Sequence, residues 1–360
     1  MKILLTFLLG CWVILFSGCE GNDTPVKITP SNLEVVTTIS TNGSGLVSFL
    51  ATANNVLNFK FYYGEGLDEP ILVTADGVTA HTYVSSGTYE VKVVAYSVDG
   101  LFVDKTLSVT LQVKELPIPT AGYTSPMTYS GMTLVWQDEF TGDHLNTSDW
   151  NYETGPFNNE LQYYKQGNTT VQDGYLIIKA KVEKAEGKIY TSSRLTTENK
   201  KSFQYGRVDI RALAPKGQGL FPALWMLGSS FSVVSWPKCG EIDIMETIGG
   251  GGRDSVVYGT AHWDSLGHVS YGGHKGLNNG QLLGDQFHVY SIVWTPTTIK
   301  WYLDNGQYHI IDITPVGLNE FKKKFFFIFN VAVGGEWAGA PNASTVFPQR
   351  MVVDYVRVFQ

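Results

Sequence analysis

The sequence predicts an all-β protein in which a small β-sandwich precedes a larger one. Short runs of alternating apolar and polar residues recur along the chain, and Gly, Asn and Asp residues separate them. No stretch sustains the period of an amphipathic helix. The chain has 360 residues, which is enough for two domains with substantial cores.

The predicted domain boundary lies at Pro117 and Pro119, because two prolines stiffen the chain and interrupt a strand ladder. We therefore predict a small sandwich over residues 28–115, a linker over residues 116–128 and a large sandwich over residues 129–360. The first region contains alternating runs such as residues 89–96, which suggest roughly seven short strands.

The large region is also read as strands throughout. Residues 205–212 alternate cleanly, which places Val208, Ile210 and Ala212 on one face. Residues 299–303 and 307–311 flank Asp304-Asn305-Gly306, a strong hairpin signal. Strands over this length that pack on two sides fit a large sandwich of the jelly-roll type.

The amino terminus predicts export from the cytoplasm. Residues 3–16 are nearly continuous hydrophobes after Lys2, a stretch too short to span a bilayer but suited to a secretory signal. Residues 16–19 resemble the lipobox of bacterial lipoproteins, with Phe16 in place of the usual Leu. That resemblance implies a signal peptide over residues 1–18, a lipid anchor on Cys19 and a flexible tether over residues 19–27.

The segment that begins at Cys19 also resembles the export tag of surface lipoproteins in Bacteroidetes-type bacteria. This resemblance implies a surface-exposed position on the outer membrane, with ordinary secretion as the alternative. Cys11 would leave with the signal and Cys19 would carry lipid, so Cys239 would have no disulfide partner in the mature chain. We expect Cys239 to be a buried, inert hydrophobe.

Composition argues against nucleic acid as a partner. The chain has 26 basic and 33 acidic residues, a net charge of −7, and it has no basic patch. We expect the protein to be monomeric.

Residues 240–247 contain three carboxylates within a segment that otherwise reads as a buried strand. Side chains alternate along a strand, so Glu241 and Asp243 share one face while Ile242 and Ile244 face the core. Glu246 lies at an odd offset from Glu241 and joins that face only if a β-bulge adds one residue before it. The pattern predicts three acids along one side of a cleft.

Clustered acids of this kind are typical of glycosidic bond cleavage. One carboxyl group delivers a proton to the leaving oxygen, and a second carboxylate attacks the sugar carbon or stabilises it. Near neighbours on one strand favour the close pair of a retaining enzyme. Two alternatives stay open at this point: a solvated surface strand, and a calcium or magnesium cage formed by the three carboxylates.

Aromatic residues around this strand suggest sugar binding, because aromatic faces stack on sugar rings. Trp225, Trp236 and Trp263 lie near Gly, Pro or His residues, and we expect at least two of them to touch sugar. Trp294 and Trp301, on the two arms of a predicted meander, are interpreted as core packing.

The acidic segment and its surroundings resemble glycoside hydrolase family 16, and within it the laminarinases. Residues 236–246 carry the motif Glu-x-Asp-x-x-Glu, and the similarity extends from about residue 134 to residue 360. Further matching segments are residues 136–140, 158–164, 193–196, 259–263, 330–335 and 353–358. The resemblance implies a concanavalin-like jelly-roll sandwich with a retaining glycosidase site.

The resemblance also assigns roles to residues. Glu241 would be the nucleophile, Asp243 its assisting acid and Glu246 the general acid/base. The residues that would hold the sugars are Asn159, Arg194, Trp225, Trp236 and His262. Catalysis would need no cofactor. A structural calcium is common in the family and would use the Asp354 side chain with backbone oxygens near Glu139 and Gly174.

The amino-terminal sandwich resembles PKD-type immunoglobulin-like domains. Residues 81–91 are similar to the closing motif of those domains, and residues 61–66 carry their aromatic and glycine pattern loosely. This domain is expected to act as a spacer between the membrane and the catalytic domain, because no cluster of exposed aromatics marks it as a sugar binder.

Together these observations predict a surface-anchored endo-β-1,3-glucanase that cleaves laminarin-like glucan by double displacement. Relatives of the same architecture cut agarose, porphyran, carrageenan or mixed-linkage glucan; Met245 is an extra residue relative to the usual mixed-linkage motif. A non-catalytic glycan-binding lipoprotein and a transglycosylase stay open as alternatives.

Overall fold

The computed structural model describes residues 26–65, 72–114 and 117–360. The predicted signal peptide and Cys19 lie outside the described residues, as do residues 115 and 116 at the predicted boundary. The all-β prediction is confirmed: strands form two sandwiches, and the only helical elements of the described chain are four short segments. These are α1 (Phe231–Val234) and the 3-10 segments Gln166–Asn168, Arg253–Ser255 and Val316–Lys322.

The amino-terminal sandwich contains seven strands in the described residues, as the alternating runs predicted. One sheet has the order β1-β2-β5, and the other has the order β4-β3-β6-β7. The strands are β1 (Ser31–Ile39), β2 (Leu46–Asn54), β3 (Asn58–Tyr62), β4 (Leu72–Thr74), β5 (Val78–Thr82), β6 (Gly87–Tyr96) and β7 (Phe102–Leu111).

Alternation along these strands buries a compact core. Phe61 of β3 and Val91 and Val93 of β6, from one sheet, pack with Phe49 of β2 from the other sheet, and all four are buried. The architecture is an immunoglobulin-like β-sandwich, because two antiparallel sheets enclose one core. Membership of the PKD group stays a prediction.

The large sandwich is formed by seventeen further strands. They are β8 (Leu134–Asp138), β9 (Asn151–Glu153), β10 (Gln162–Tyr164), β11 (Thr169–Gln172), β12 (Tyr175–Ala185), β13 (Lys188–Ser192), β14 (Arg194–Thr196), β15 (Gly206–Leu213), β16 (Leu220–Gly228), β17 (Glu241–Glu246), β18 (Val256–Asp264), β19 (His268–Gly276), β20 (His288–Trp294), β21 (Thr298–Leu303), β22 (Gly306–Asp312), β23 (Phe325–Val333) and β24 (Gln349–Phe359).

These strands form two stacked sheets. The first, which we call the outer sheet, has the order β10-β13-β12-β24-β15-β20-β21-β22, with β11 beside β12 and β8 beside β24. The second, which we call the site sheet, has the order β19-β18-β17-β16-β23-β14-β9. The predicted jelly-roll sandwich is confirmed, and the acidic strand lies near the middle of the site sheet.

Apolar residues from the two sheets meet in one large core. Val208, Ile210 and Ala212 of β15 lie in it, as their alternation predicted. Trp294 and Trp301 are almost completely buried, so their interpretation as packing residues is confirmed. The predicted hairpin is also present: Asp304 and Asn305 have positive φ angles and join β21 to β22, as a two-residue hairpin turn requires.

The segment predicted as a linker lies along the outer sheet. Gly122 forms a bridge with Phe287, and the hydroxyl of Tyr355 accepts a hydrogen bond from the backbone N–H of Ser125 at 2.7 Å. The Arg211 guanidinium donates to the carbonyl oxygen of Tyr123. These contacts extend the packed part of the large sandwich toward the amino terminus beyond residue 129.

Cys239 is buried, as expected. It packs with Leu227, Phe326 and Ile328 on the face of the site sheet opposite the main core. Within the residues that the structure describes, no helix has the length and apolar character needed to cross a membrane.

Candidate active site

Strand β17 carries the three acids, and its bulge is present as predicted. Ile242, Ile244 and Met245 point into the core between the sheets, where they are fully buried. In the pairing with β16, Leu224 opposes Met245 and Trp225 opposes Asp243, so Ile244 is the extra residue. The bulge restores Glu246 to the face that carries Glu241 and Asp243.

Neighbouring strands confirm which face the acids occupy. Across β18, Glu241 opposes His262, Asp243 opposes Thr260 and Glu246 opposes Tyr258. Residues that oppose each other in a sheet point to the same side. The acids therefore stand on the outer face of the site sheet, away from the main core.

His262 lies close to two of the acids. Its Nε2 atom is 3.0 Å from Asp243 Oδ2 and 3.8 Å from Glu241 Oε1. The candidate ligand atoms of these three residues all lie within 4.8 Å of one another. Calcium and magnesium prefer oxygen ligands, several of them from loop backbone. A histidine nitrogen among strand side chains fits that alternative poorly and fits proton chemistry well.

The acids strongly perturb one another. Burial and the charge of Asp243 raise the pKa of Glu241 to about 8, while the charges of His262 and Arg194 act in the opposite direction. Burial, followed by the charges of Asp243 and Glu241, raises the pKa of Glu246 well above its usual range. A carboxyl group that stays protonated near neutral pH can act as a general acid. Of the two glutamates, only Glu241 has neighbouring cations that favour its charged form.

The charge of His262 results from two opposing effects. Burial acts to lower the pKa of His262, but the hydrogen bond with Asp243 and the charges of Asp243 and Glu241 outweigh burial and raise it. The site therefore favours an imidazolium beside the acids.

A side chain of the outer sheet forms a hydrogen bond with the backbone of β17 through the core between the sheets. Trp301 Nε1 donates a 2.8 Å hydrogen bond to the carbonyl oxygen of Asp243. Gly259 leaves the space for this indole, because a Cβ atom there would lie 2.4 Å from Trp301 Cδ1. Close packing against Trp301 thus explains why glycine stands at position 259, the first residue of the 259–263 motif.

Arg194 and Trp225 lie together beside the acids. The Arg194 guanidinium is 4.9 Å from the Trp225 ring centroid and forms an ion pair with Glu153. Trp225 Nε1 donates a 2.8 Å hydrogen bond to Asn330 Oδ1, which fixes the indole on the outer face. The structure thus brings both predicted sugar-binding residues to the acids, and the sugar contact stays a prediction.

Asn159 lies on an exposed turn at the edge of this region. Its φ angle is +55°, and the preceding Asn158 is also left-handed, which suits asparagine better than most residues. The turn follows Phe157, whose ring is 4.9 Å from the Arg194 guanidinium. Asn159 therefore lies at the edge of the site, two residues beyond the ring that contacts Arg194.

Trp236 stands at the Glu241 end of the acidic strand. It is 42% exposed, and its ring centroid lies 6.4 Å from that of His262. Trp263 instead packs edge-on against Phe321 beside the main core. Of the three tryptophans that the sequence singled out, Trp225 and Trp236 thus lie on the face of the acids and Trp263 does not, because it has the opposite strand parity to His262.

Two further residues at the site were missed by the sequence reasoning. Trp337 is 43% exposed at the Glu246 end, with edge-on contacts to Phe221 and Tyr258 at 5.3 and 5.0 Å. His268 lies at the Glu241 end, where its Nε2 is 2.8 Å from Nδ1 of His262. Trp337 follows the predicted 330–335 motif, a signal that could have found it; only the β18–β19 pairing places His268.

The predicted calcium residues lie together beside β24 on the outer sheet. Val356 opposes Asp138 and Val353 opposes Leu176, so Asp354 lies between the end of β8 and the start of β12. Arg211 Nη1 donates to Asp354 Oδ2 at 2.6 Å, and both Glu139 carboxylate oxygens accept from Arg357. Gly174 lies in the turn before β12 with a φ angle of +80°. Because Arg211 holds one Asp354 oxygen, the other oxygen and backbone carbonyls would have to hold the ion.

The region that contains this site is similar in sequence to known proteins. A model of the glycosyl hydrolases family 16 matches residues 157–357. The beta-glucanase of Rhodothermus marinus is 40% identical over 244 residues, which cover 63% of this chain and 85% of the relative. Glucan endo-1,3-beta-glucosidase A1 of Niallia circulans is 40% identical over 263 residues, covering 64% of this chain. The chain spans 38% of the length of that second relative.

A solved structure agrees with these matches. The laminarinase catalytic domain from Thermotoga maritima MSB8 is 41% identical and aligns with a TM-score of 0.59, covering 64% of this chain and 98% of that domain. The matched residues include the acidic strand, its bulge and the strands that flank it. The chain belongs to glycosyl hydrolase family 16.

Proposed function

We propose that the protein is a retaining endo-β-1,3-glucanase that hydrolyses laminarin-like polysaccharide. The observation that carries the proposal is the bulge of β17, which puts Glu241, Asp243 and Glu246 on the face of the site sheet that points away from the main core. Relatives at about 40% identity named as a glucan endo-1,3-beta-glucosidase and a laminarinase support the choice of glucan.

The proposed reaction is a double displacement. Glu246, with its raised pKa, protonates the glycosidic oxygen while the Glu241 carboxylate attacks the anomeric carbon and forms a glycosyl-enzyme. Glu246, now ionised, takes a proton from water, and that water releases the sugar from Glu241. Asp243 lies between them on the strand; burial and the charge of Asp243 raise the pKa of Glu241, and the charges of His262 and Arg194 oppose that shift.

Exposed aromatics on both sides of the acids support a polymeric substrate. Trp236 lies at the Glu241 end and Trp337 at the Glu246 end, and each offers an apolar face to a sugar ring. Sugar positions on both sides of the cleaved bond are what an endo-acting enzyme requires, so we expect oligosaccharides rather than glucose alone.

The first test is product analysis on a panel of glycans: laminarin, barley glucan, agarose and porphyran. We expect oligosaccharides from laminarin, with the β-anomer formed first in an NMR time course, and no products from the Glu241→Gln variant. Cleavage of only another glycan would keep the mechanism and overturn the substrate. Binding without products on every glycan would favour a glycan-binding protein, and longer oligosaccharides than those supplied would indicate transglycosylation.

A chemical rescue experiment separates the two glutamates. In Glu246→Ala acting on a nitrophenyl glycoside, whose leaving group needs no proton, azide should restore turnover and give a β-glycosyl azide, because azide attacks the glycosyl-enzyme from the face that water uses. In Glu241→Ala, azide should replace the nucleophile and give the α-glycosyl azide. The opposite pairing of products would reverse the assigned roles.

We also propose that Cys19 carries a lipid that anchors the enzyme to the outer membrane. The lipobox-like sequence at residues 16–19 supports this proposal. Labelled palmitate should be incorporated into the full chain and should be lost in Cys19→Ala, which should be released into the medium. Equal incorporation in the two proteins would argue for ordinary secretion.

A further inference from the structure

His268 contacts the residue that faces the acids, although it lies on a different strand. It begins β19, and its Nε2 atom is 2.8 Å from Nδ1 of His262. The other ring nitrogen of His262, Nε2, is 3.0 Å from Asp243 Oδ2. The Trp236 ring lies over His268 with centroids 4.6 Å apart, which holds the second imidazole in place. The three groups Asp243, His262 and His268 therefore form a chain that runs from the acids to the protein surface.

The two imidazoles must share a proton. Two nitrogens 2.8 Å apart cannot both present lone pairs or both present N–H groups, so one donates to the other. Nε2 of His262 lies 3.0 Å from Asp243 Oδ2, a distance at which the ionised carboxylate favours a proton on that nitrogen. If His262 also donates from Nδ1, it is an imidazolium; if His268 donates instead, His262 is neutral.

We propose that His268 is a positioning residue whose Nε2 lone pair accepts the Nδ1–H of His262 and so holds His262 as an imidazolium that faces Asp243 and Glu241. This inference rests on the proposed glycosidase function, because its consequence is for the nucleophile. A cation beside Glu241 favours the carboxylate, the form that attacks the sugar. His268 touches His262 and acts on Glu241 only through it.

The charged groups around His262 and His268 also favour a protonated His262. Glu241 and Asp243 face His262 from β17, and Asp264 on β18 opposes His268 across the hairpin. Burial acts to lower the pKa of His262, but the contact with Asp243 and the charges of Asp243 and Glu241 outweigh burial and raise it. Burial and the neighbouring His262 lower the pKa of His268. Arg194 adds a second cation that acts on Glu241.

Three variants separate hydrogen bonding from ring contact. His268→Phe keeps a ring against Trp236 and has no nitrogen, whereas His268→Gln supplies a carbonyl oxygen that can accept from Nδ1 without titrating. His268→Ala removes both features. If His268 is needed only for packing, Phe at this position should preserve its role. If His268 is needed as a hydrogen-bond acceptor, Gln should preserve its role.

The test is a nitrogen-15 NMR titration of the histidine side chains in the free protein, with His262 assigned through His262→Gln. We expect both ring nitrogens of wild-type His262 to be protonated at neutral pH. In His268→Phe and His268→Ala, the proton affinity of His262 should fall about tenfold, one pKa unit. His268→Gln should retain most of it. A neutral wild-type His262 with its proton on Nε2 alone, or an unchanged titration in His268→Phe, would overturn the proposal.

Activity supplies the second readout. Because loss of the imidazolium raises the pKa of Glu241, the acidic limb of the kcat/KM profile should move to higher pH in His268→Phe and stay near its wild-type position in His268→Gln. A uniform loss across pH, equal in both variants, would mean a sugar contact and would overturn the proposal. The NMR titration needs no substrate, so it tests the role of His268 independently of activity. Failure of the wild-type protein to cleave any glycan would contradict the proposed function but not the result of the titration.

Discussion

The charged residues on the two sheets of the large sandwich are arranged in opposite ways. On the outer sheet, arginines pair with carboxylates: Arg207 with Asp209 at 2.7 Å, Arg211 with Asp354 at 2.6 Å and Arg357 with Glu139 at 2.7 Å. On the site sheet, three acids crowd together, Arg194 is paired with Glu153, and His262 is the cation nearest the acids.

The comparison separates carboxylates that have an arginine partner from the crowded acids to which we assign the proposed chemistry. A buried carboxylate with an arginine partner stays ionised at tolerable cost, and loss of the partner leaves an uncompensated charge. Crowded acids without such partners resist ionisation, which raises their pKa values. We therefore expect neutral substitutions on the two sheets to have opposite effects on stability.

The largest expected effect is loss of activity when a site-sheet acid is neutralised. Glu241→Gln should reduce kcat on laminarin by at least about 10⁴-fold, because the nucleophile is lost. Glu246→Gln should cost about 10²–10⁴-fold. On a nitrophenyl glucoside of laminarioligosaccharide, glycosyl-enzyme formation by Glu246→Gln should be nearly normal, because that leaving group needs no proton. Equal loss of this step on both substrates would contradict the role of Glu246 as the acid.

The second expected effect concerns the outer sheet. Asp209 is fully buried, so Arg207→Met should lower the free energy of unfolding by about 3 kcal/mol and leave kcat/KM of the folded protein unchanged. Urea unfolding followed by tryptophan fluorescence measures it, since the tryptophans after residue 19 all lie in the large sandwich. Lys165→Met is the matched control: it breaks a half-exposed pair with Glu183 and should cost less than about 1 kcal/mol. Equal costs would contradict the comparison.

The third expectation is a stability gain at the active site. The folded state holds protons on Glu241 and Glu246 that the unfolded state releases, so unfolding free energy should fall as pH rises from the usual glutamate value of 4.5 toward about 8. Glu246→Gln should remove part of this slope and raise Tm at pH 8 by roughly 2–4 °C relative to wild type. The two proteins should differ little at pH 4. A variant less stable than wild type at pH 8 would show that the acids are not crowded.

The smallest expected effect is that of calcium on the outer sheet. If Asp354 shares its carboxylate between Arg211 and the ion, millimolar calcium should raise Tm by a few degrees through preferential binding to the folded state. Asp354→Asn should abolish the calcium-dependent part, while magnesium at the same concentration serves as the control. An identical Tm in calcium and in EGTA would contradict a calcium site at Asp354.

Much of the site was predictable from the order of residues along one strand. Alternation with one extra residue at Ile244 places Glu241, Asp243 and Glu246 on one face, and the pairing with β16 confirms it. The hairpin at Asp304 and Asn305 was predictable for the same reason, because its turn chemistry is local.

Other features depend on contacts between distant residues. The packing of residues 120–125 against the outer sheet relies on Arg211 and Tyr355, which lie about 90 and 230 positions further along the chain. Two prolines gave the appearance of a free linker, and local composition carries no information about an arginine on another strand.

The sequence by itself determined the all-β class, the position of the acidic strand and the shared face of its three acids, because strand parity and turn chemistry are local properties. Only the tertiary structure decided that His268 meets His262, that Trp337 faces the site and that outer-sheet arginines neutralise their carboxylates. Those pairings follow from strand order in the sheets, and strand order is set by packing of the whole core.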